Sequence, residues 1–481
     1  MQDAHKTYRP WDPSFNTSQN YSPDDVLPES DLVFFLIDLV PQLDLSAFYT
    51  YYEQETRGAP PYDVAMMCTL LCYAYAVGVC SSRKIAAAAQ RNLAFMAIVG
   101  KEPPNFRTIS DFRKLHYHAF EDLFIEVLRV AGRLGMVRLG NIAIDGSKEK
   151  ANASRHKAMS YDYMTKEVER LRGEIKELLG RAAKVDETED AAWGSRRGDE
   201  LPDELQRRQQ RLQNIEAAMK RLEEEARQRA EAERQERAQA EAEREAQGKQ
   251  RRGREPKPVA ETPKERAQTN FTDPDSKIMK TNNKGYDYCY NAQAAVDGEH
   301  QIIVAAETTN ACNDKQQAAP MAQAALDNLQ AAGILQSADE DSEARCCAVS
   351  TTKKPRAIPA TLDSGYFSEQ AVQDLEELGI DPHIATGRQK HHEAEQPEAK
   401  GAPPAGASAK ERMAHKLRTS AGKKCYAQRK QIVEPVFGQI KHGRGIRQFL
   451  LRGLDKVRGE WNLIALTHNL LKIWRFCCAP S

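Results

Sequence analysis

Two heptad seams stand in the middle of this chain, between segments whose apolar residues follow the shorter period of β-strands, and any fold must accommodate that interruption. Met164, Val168, Leu171, Ile175 and Leu178 recur at 4-3-4-3, and Leu212, Ile215, Met219, Leu222 and Ala226 at 3-4-3-4. Such spacing lays an apolar stripe along one side of a helix and requires a partner to cover it. An acidic stretch around Gly194 and Gly198 separates the seams, so the spacing predicts an antiparallel helical hairpin. Past Ala226 the run of Glu, Arg, Ala and Gln has no large apolar residue and reads as a lone solvated helix or disordered chain. Arg251 to Ala267, with its prolines, reads as linker, and Glu393 to Ser408 as a low-complexity loop holding His391-His392 at its edge.

The flanks differ from each other. Residues 1–30 carry Pro10, Pro13, Pro23 and Pro28 and form a polar arm without a core of its own. From 31 to 138 the pattern is helical: Leu32 to Leu39, Val64 to Val79, Ser82 to Val99, and Ser110 to Leu134, with Ser110 placed to cap a helix after Pro103-Pro104. Then the period shortens. NIAIDGSK (141–148) is β-rich, GYDYCYNAQAAVD (285–297) alternates, and HQIIVAAETT (300–309) follows the turn residues Asp297-Gly298, which predicts a hairpin. A helix (Asp314 to Ala332), a strand (357–365), a helix (Ser368 to Leu378) and a strand (382–387) complete a mixed α/β sheet.

Formal net charge is zero, 69 basic against 69 acidic residues, but the charge is segregated. Lys410 to Arg458 holds 14 Lys or Arg against three acids, whereas Asp186 to Glu204 holds eight acids against two Arg. That asymmetry suits one surface meeting a polyanion. The ten Cys follow no even-spaced framework, with Cys346/Cys347 and Cys477/Cys478 as neighbours, and no apolar leader opens the chain. Both features point to a reducing cytoplasm. Cys68, Cys72 and Cys80 read as buried thiols, and the 17 uncharged residues from Val64 to Cys80 as a core helix, too short to span a bilayer.

Asp145 and Asp363 stand at strand ends, each followed by a small turn (Gly146-Ser147; Ser364-Gly365), where side chains point into the crevice at a sheet's edge. Glu434 is the only acid between Arg412 and Leu454. Converging carboxylates are what two Mg²⁺ ions need for phosphoryl transfer. Taken singly, each acid fits a turn or an ordinary ion pair, Glu434 with Arg429 or Lys441 for example. His156, with Lys148 and Arg155, fits DNA contact or a solvated loop equally well. Trp461 and Trp474 read as core residues of the last helix, and Asn291 and Asp314 as polar groups near the sheet able to support such a site from behind.

YAQRKQIVEPVFGQIKHGRGIRQF (426–449) resembles the Tyr-Arg-Glu-Lys segment of bacterial insertion-sequence transposases, with Tyr426, Arg429, Glu434 and Lys441 in matching positions. Four residues separate Arg429 from Glu434, where the usual pattern has three. Seven residues from Glu434 to Lys441 are two helical turns, so both share a face, and Pro435 predicts a kink or a helix start at the Glu. PPYDVAMMCTLLCYAYAVGVCSSRKIA with FRTISDFRKLH is similar to the helical N-terminal domain of these enzymes. IAIDGSK and TLDSGYFSE are similar to the blocks of the first and second catalytic Asp, and DPDSKIMK, YNAQAAVD and EWNLIALTHNLLKIW to further blocks of the group numbered eleven-eighty-two.

The resemblance implies an α+β protein: a helical DNA-binding domain (31–138), then an RNase H-like mixed α/β catalytic core (139–161 and 270–476) interrupted by a coiled-coil insert and linker (162–269). It implies a triad of Asp145, Asp363 and Glu434 holding Mg²⁺ or Mn²⁺, two ions in all, and cleavage and strand transfer at the element's ends. Tyr426, Arg429, Lys441, Arg444, Arg107 and Arg113 are the expected DNA contacts. The expected partners are double-stranded DNA, as terminal inverted repeats and target, and a second copy of the chain in the DNA complex, with no membrane, in a cytoplasmic, nucleoid-associated setting. A simple nuclease of the same fold, and an inactive DNA-binding or coiled-coil scaffold protein, remain open at this point.

Overall fold

The computed structural model describes residues 6–11, 23–53, 58–193, 203–246, 258–281, 285–335, 357–387, 397–404 and 406–479. The acidic separator around Gly194 and Gly198, Cys346/Cys347 and His391-His392 lie outside the described residues. By contacts the chain divides into two compact units, residues 1–152 with 277–481, and residues 153–276.

Seven helices come first: α1 (Leu32–Leu39), α2 (Ser46–Glu53), α3 (Val64–Ala76), α4 (Ser82–Ala88), α5 (Leu93–Val99), α6 (Phe106–Leu115) and α7 (Ala119–Arg133). Every residue of α3 is buried, as its uncharged run requires, and Asp63 caps it by accepting the Met66 amide at 2.9 Å. Cys68 and Cys72 lie within it, and burial pushes the Cys72 thiol up to about 12. The expected 82–99 helix is two, because Asn92 turns its side chain back onto the amides of Ala94 and Phe95 and starts a new one. The expected 110–134 helix is also two. Its cap is Asn105, which accepts from Arg107 and Thr108 at 2.8 and 2.9 Å, while Ser110 falls inside α6. A short polar side chain directly after Pro103-Pro104 reaches the orphan amides first.

Strand β1 (Ile142–Lys150) follows, and then the second unit: β2 (Ala158–Ser160), α8 (Tyr161–Trp193), α9 (Asp203–Ala246) and β3 (Gln268–Asn270). Met164, Val168 and Leu171 bury against Ile215 and Leu222. Tyr161 meets Glu223 while Glu174 meets Arg208, so the two helices run antiparallel. β2 pairs with β3, and the Tyr161 amide donates to the Ala267 carbonyl at 2.8 Å, which closes the base of the unit. Beyond Ala226 the chain stays helical to Ala246. It is not a bare solvated helix there, since Ala230 is buried and Arg234 pairs with Glu261 of the returning segment.

The remaining elements are β4 (Lys277–Lys280), β5 (Tyr286–Asp297), β6 (Ile303–Thr309), α10 (Ala318–Ala331), β7 (Ile358–Leu362), α11 (Glu369–Glu377), β8 (Ile380–Ile384), α12 (Ala409–Arg418), α13 (Ser420–Gly438) and α14 (Leu454–Cys478). The sheet runs β4-β5-β1-β7-β8, with β6 also on β5. β1 is antiparallel to β5 and parallel to β7, and β7 is parallel to β8. Helix α13 packs on β1, β5 and β7, while α14 packs on β6, α3 and α7. Gly459 permits that approach, because a Cβ there would lie 2.3 Å from the Tyr117 carbonyl oxygen. Trp461 is in the core, donating to the Gln293 carbonyl, whereas Trp474 is only half-buried and donates to Ser30. Helix α13 runs through Pro435 without starting there. The irregularity comes one turn later, as a π turn over Gln439–Gly443. Among the described residues no single helix is long and apolar enough to cross a membrane.

Candidate active site

Strand register brings the first two acids together. β1 and β7 pair in parallel as Ile142 with Ala360, Ala143 with Thr361 and Ile144 with Leu362. Asp145 and Asp363 each stand one residue beyond that ladder, side by side where it ends. Both carboxylates are held by backbone amides that follow them: Gly146 N–H donates to Asp145 Oδ1 at 2.9 Å and Gly365 N–H to Asp363 Oδ1 at 2.7 Å. The turn expected at Gly146-Ser147 is absent, because β1 stays paired with β5 as far as Lys150, and only Asp363 ends its strand at a turn. Burial raises the Asp145 carboxyl above the ordinary carboxylate range, Arg429 pulls it back, and the neighbouring charge of Asp363 raises it further. Two like charges at the mouth of a mostly buried site make an arrangement that a divalent cation would relieve.

Alternation along β1 sorts the rest of the site onto two faces. Asp145, Ser147 and Glu149 face α13, across from Ala294, Ala292 and Tyr290 of β5. The small alanines let the helix come close, and Arg429 Nη1 donates to Asp145 Oδ2 at 2.9 Å. Lys441, carried on the π turn, lies 2.7 Å from Glu149 Oε1 and donates to Ser147 Oγ. Burial works to lower the Arg429 guanidinium, yet Asp145 and Tyr426 hold it above its ordinary value. Burial likewise raises the Tyr426 phenol against the pull of Arg429.

On the other face stand Gly146 and Lys148, opposite Gln293 and Asn291. There Asp314 Oδ1 accepts from Lys148 Nζ at 2.9 Å, Asn291 Nδ2 at 2.6 Å and Gln293 Nε2 at 2.8 Å. Tyr366, fully buried, donates to Gln293, and burial raises its phenol well above the ordinary value, helped by Asp314, Asp145 and Asp363. The sequence showed Asp314 only as a polar residue near the sheet. Its three donors come from β1 and β5, and no local pattern announces that convergence.

Glu434 is exposed on α13, and among the described residues no group of three or more His, Cys, Asp or Glu is close enough together to hold a metal ion. The donor set nonetheless suits a hard divalent cation. Asp145 and Asp363 offer carboxylate oxygens only, and Gly365 leaves open the position where a Cβ would stand 3.0 Å from Asp363 Oδ1 and 3.9 Å from Asp314 Oδ2.

Two of the expected DNA contacts are buried instead. Arg113 is 4% exposed and donates to the Tyr75 hydroxyl at 2.6 Å and the Cys80 carbonyl at 2.9 Å. Tyr75 in turn donates to Glu460 Oε1, whose Oε2 takes the Leu450 and Leu451 amides. The charge of Arg113 is thus consumed in tying α3 and α6 to α14. Arg444 is 6% exposed, donates to the Ile464 carbonyl and Thr467 hydroxyl, and burial lowers its guanidinium to about 10. Arg107 is exposed, as expected, and with Arg83 flanks the ring of Phe106 at 6.0 and 5.4 Å, a cationic and aromatic patch on α4 and α6. His156 is exposed too.

Comparison with known families places two segments of the chain. Residues 393–474 match the model described as a transposase DDE domain, and residues 21–115 match a transposase domain (DUF772). The first match takes in Tyr426, Arg429, Glu434 and Lys441, and the second takes in Arg83 and Arg107, while Asp145 and Asp363 lie between the two. No curated protein and no solved structure matches the chain.

Proposed function

We propose that this chain, two segments of which match a transposase DDE domain and a transposase domain, is an insertion-sequence DDE transposase that cuts the DNA ends of its own element and joins them to target DNA in a metal-dependent reaction. The observation that carries this reading is the pairing of Asp145 and Asp363 at the end of the β1–β7 ladder, beneath a helix that lies in the matched DDE segment. Asp145 and Asp363, joined by Glu434, would hold Mg²⁺ or Mn²⁺, two ions in all. Bound metal supplies activation of the attacking oxygen and stabilisation of the leaving one.

The chain's own groups do the remaining work. Arg429, on Asp145, and Lys441, further along β1 on Ser147 and Glu149, would take phosphate oxygens, offsetting the charge of DNA drawn toward carboxylates. Tyr426 sets the guanidinium from one turn back on the same helix. Tyr366, fully buried, fills the floor beneath the site through its bond to Gln293. Gly146 and Gly365 N–H groups hold the carboxylates in place, so little reorganisation is needed at the moment of reaction. The α4–α6 patch of Arg83, Phe106 and Arg107 would meet the terminal repeat, and two copies of the chain would bring two ends together.

The test is a duplex ending in the element's own terminal repeat, incubated with a separate target duplex in Mg²⁺, Mn²⁺ or Ca²⁺. Joined products in Mg²⁺ or Mn²⁺, with binding only in Ca²⁺, are expected. Hydrolysis without joining would make the protein a nuclease, and binding with neither product would make it an inactive DNA-binding protein.

A further inference from the structure

Two cations of the 426–441 segment, Arg429 and Lys441, are already held by acids of β1. Arg429 contacts Asp145 with side-chain exposures of 12% and 22%, and Lys441 contacts Glu149 with exposures of 19% and 7%. Neither contact is a loose surface pair. The first one occupies a chemically decisive atom: Asp145 Oδ1 is taken by the Gly146 amide at 2.9 Å and Oδ2 by Arg429 at 2.9 Å, so the carboxylate has both oxygens engaged. A guanidinium and a divalent cation cannot share Oδ2 without placing like charges within a few ångströms in a poorly solvated site.

We infer that Arg429 couples DNA binding to metal binding: a DNA phosphate draws the guanidinium off Asp145, and the oxygen so released becomes available to the divalent cation. The exchange balances in charge, since Arg429 trades a carboxylate for a phosphate and Asp145 trades a guanidinium for a metal ion. The inference rests on the reading of Asp145 as a metal ligand. Lys441 is the anchor. Glu149 lies four residues further along β1 and holds the far end of the segment, whereas the other contact of Arg429 is the Tyr426 side chain on its own helix, which moves with it. The π turn over Gln439–Gly443, which begins two residues before Lys441 and carries it, provides irregular backbone at which such a segment can adjust. The consequence is ordered assembly, in which metal enters tightly only after DNA has arrived, and cutting away from the element's ends is restrained. Linkage makes the effect reciprocal, so metal must tighten DNA binding by the same factor.

The experiment measures Mn²⁺ binding by the electron paramagnetic resonance signal of the free ion, with and without a short double-stranded oligonucleotide. The full chain is compared with R429Q, R447Q and D145N. Wild type is expected to bind Mn²⁺ roughly 10-fold more tightly with the duplex present. R429Q is expected to bind about as tightly without the duplex as wild type does with it, and to gain little more on adding it. R447Q removes a charge six residues beyond Lys441 without touching Asp145, because Arg447 is exposed and bonds to the Lys441 carbonyl and His442; it is expected to behave as wild type. If R429Q folds poorly by circular dichroism, Arg429→Met keeps the half-buried stem and is expected to give the same tightening. R429Q no tighter than wild type without DNA, or R447Q tightened as much as R429Q, overturns the coupling while leaving the functional reading standing. Mn²⁺ binding by D145N that matches wild type in every condition overturns that reading, and the coupling with it.

Discussion

Arg113 is where sequence and structure disagree most sharply, and Arg113→Ala decides between them. The substitution removes two good hydrogen bonds from a charged donor, at 2.6 Å to Tyr75 and 2.9 Å to Cys80, with a third to Ser82 too long at 3.4 Å to count for much. It also leaves Glu460, 1% exposed, without its compensating cation. Breaking one partner out of a buried charged network costs on the order of 3–5 kcal/mol, and about 4 kcal/mol is the working figure. For a unit the size of residues 1–152 with 277–481, an unfolding entropy near 2.1 cal/mol/K per residue converts this into a fall in midpoint of roughly 5 °C. The assays are thermal unfolding by circular dichroism and DNA binding by fluorescence anisotropy, the latter well below the midpoint. Arg107→Gln on the same helix is the comparison, because Arg107 is exposed. Arg113→Ala is expected to lose stability and keep affinity, and Arg107→Gln to lose affinity and keep stability. An Arg113→Ala protein with an unchanged midpoint and weakened DNA binding would refute the reasoning.

Three further outcomes follow from the same geometry. Replacing residues 163–264 by a short Gly/Ser linker should leave a soluble protein with native circular dichroism for the sheet, because the Tyr161 amide and Ala267 carbonyl are 2.8 Å apart at the base; an insoluble product would show that the second unit is needed for folding. His116 is buried against Phe112 and Phe48, and burial pushes its pKa down to about 4, below the ~6.5 of an unfolded chain. The unfolded chain therefore binds the extra proton, and stability falls as pH drops from about 6.5 towards 4, by up to about 1.4 kcal/mol per unit. Urea midpoints across that range should fall less steeply for His116→Phe, and equal slopes would count against the assignment. Removing divalent cations with a chelator should leave the melting midpoint unmoved without DNA, since Arg429 already compensates Asp145, and a large drop would contradict that.

How much of this was legible in the chain depends on how local each cause is. Asp145 and Asp363 could be found because each follows a short buried β-rich run, and the parallel register then sets them level; the turn expected after Asp145 was wrong, since pairing with β5 carries β1 on to Lys150. The seams of α8 and α9 were legible for the same reason, since a repeat of apolar residues states its own requirement for a partner. Arg113 and Arg444 were misread because a guanidinium has the same local signature whether it faces solvent or partners brought in from other helices, Tyr75 for Arg113 and Ile464 with Thr467 for Arg444. The Ser110 cap failed to a nearer competitor, Asn105. Asp314 escaped because its three donors are assembled by the sheet. The unbroken helix through Pro435 reflects packing, since Val433 and Val436 bury on either side of it and hold the backbone in register.

The central claim is that Asp145 and Asp363 form the metal-binding heart of a DNA-cutting site, and single-turnover cleavage of the element's end in Mg²⁺ tests it most directly. Wild type, Asp145→Asn, Asp363→Asn and Glu434→Gln proteins would be compared at DNA concentrations that saturate each one. The amides keep shape while removing the charge, so the account expects folded proteins that bind the end and whose cleavage falls by several orders of magnitude, on the scale of removing a two-metal ligand. Near-normal cleavage by Asp145→Asn or Asp363→Asn, or cleavage by wild type with divalent metal removed, would contradict it.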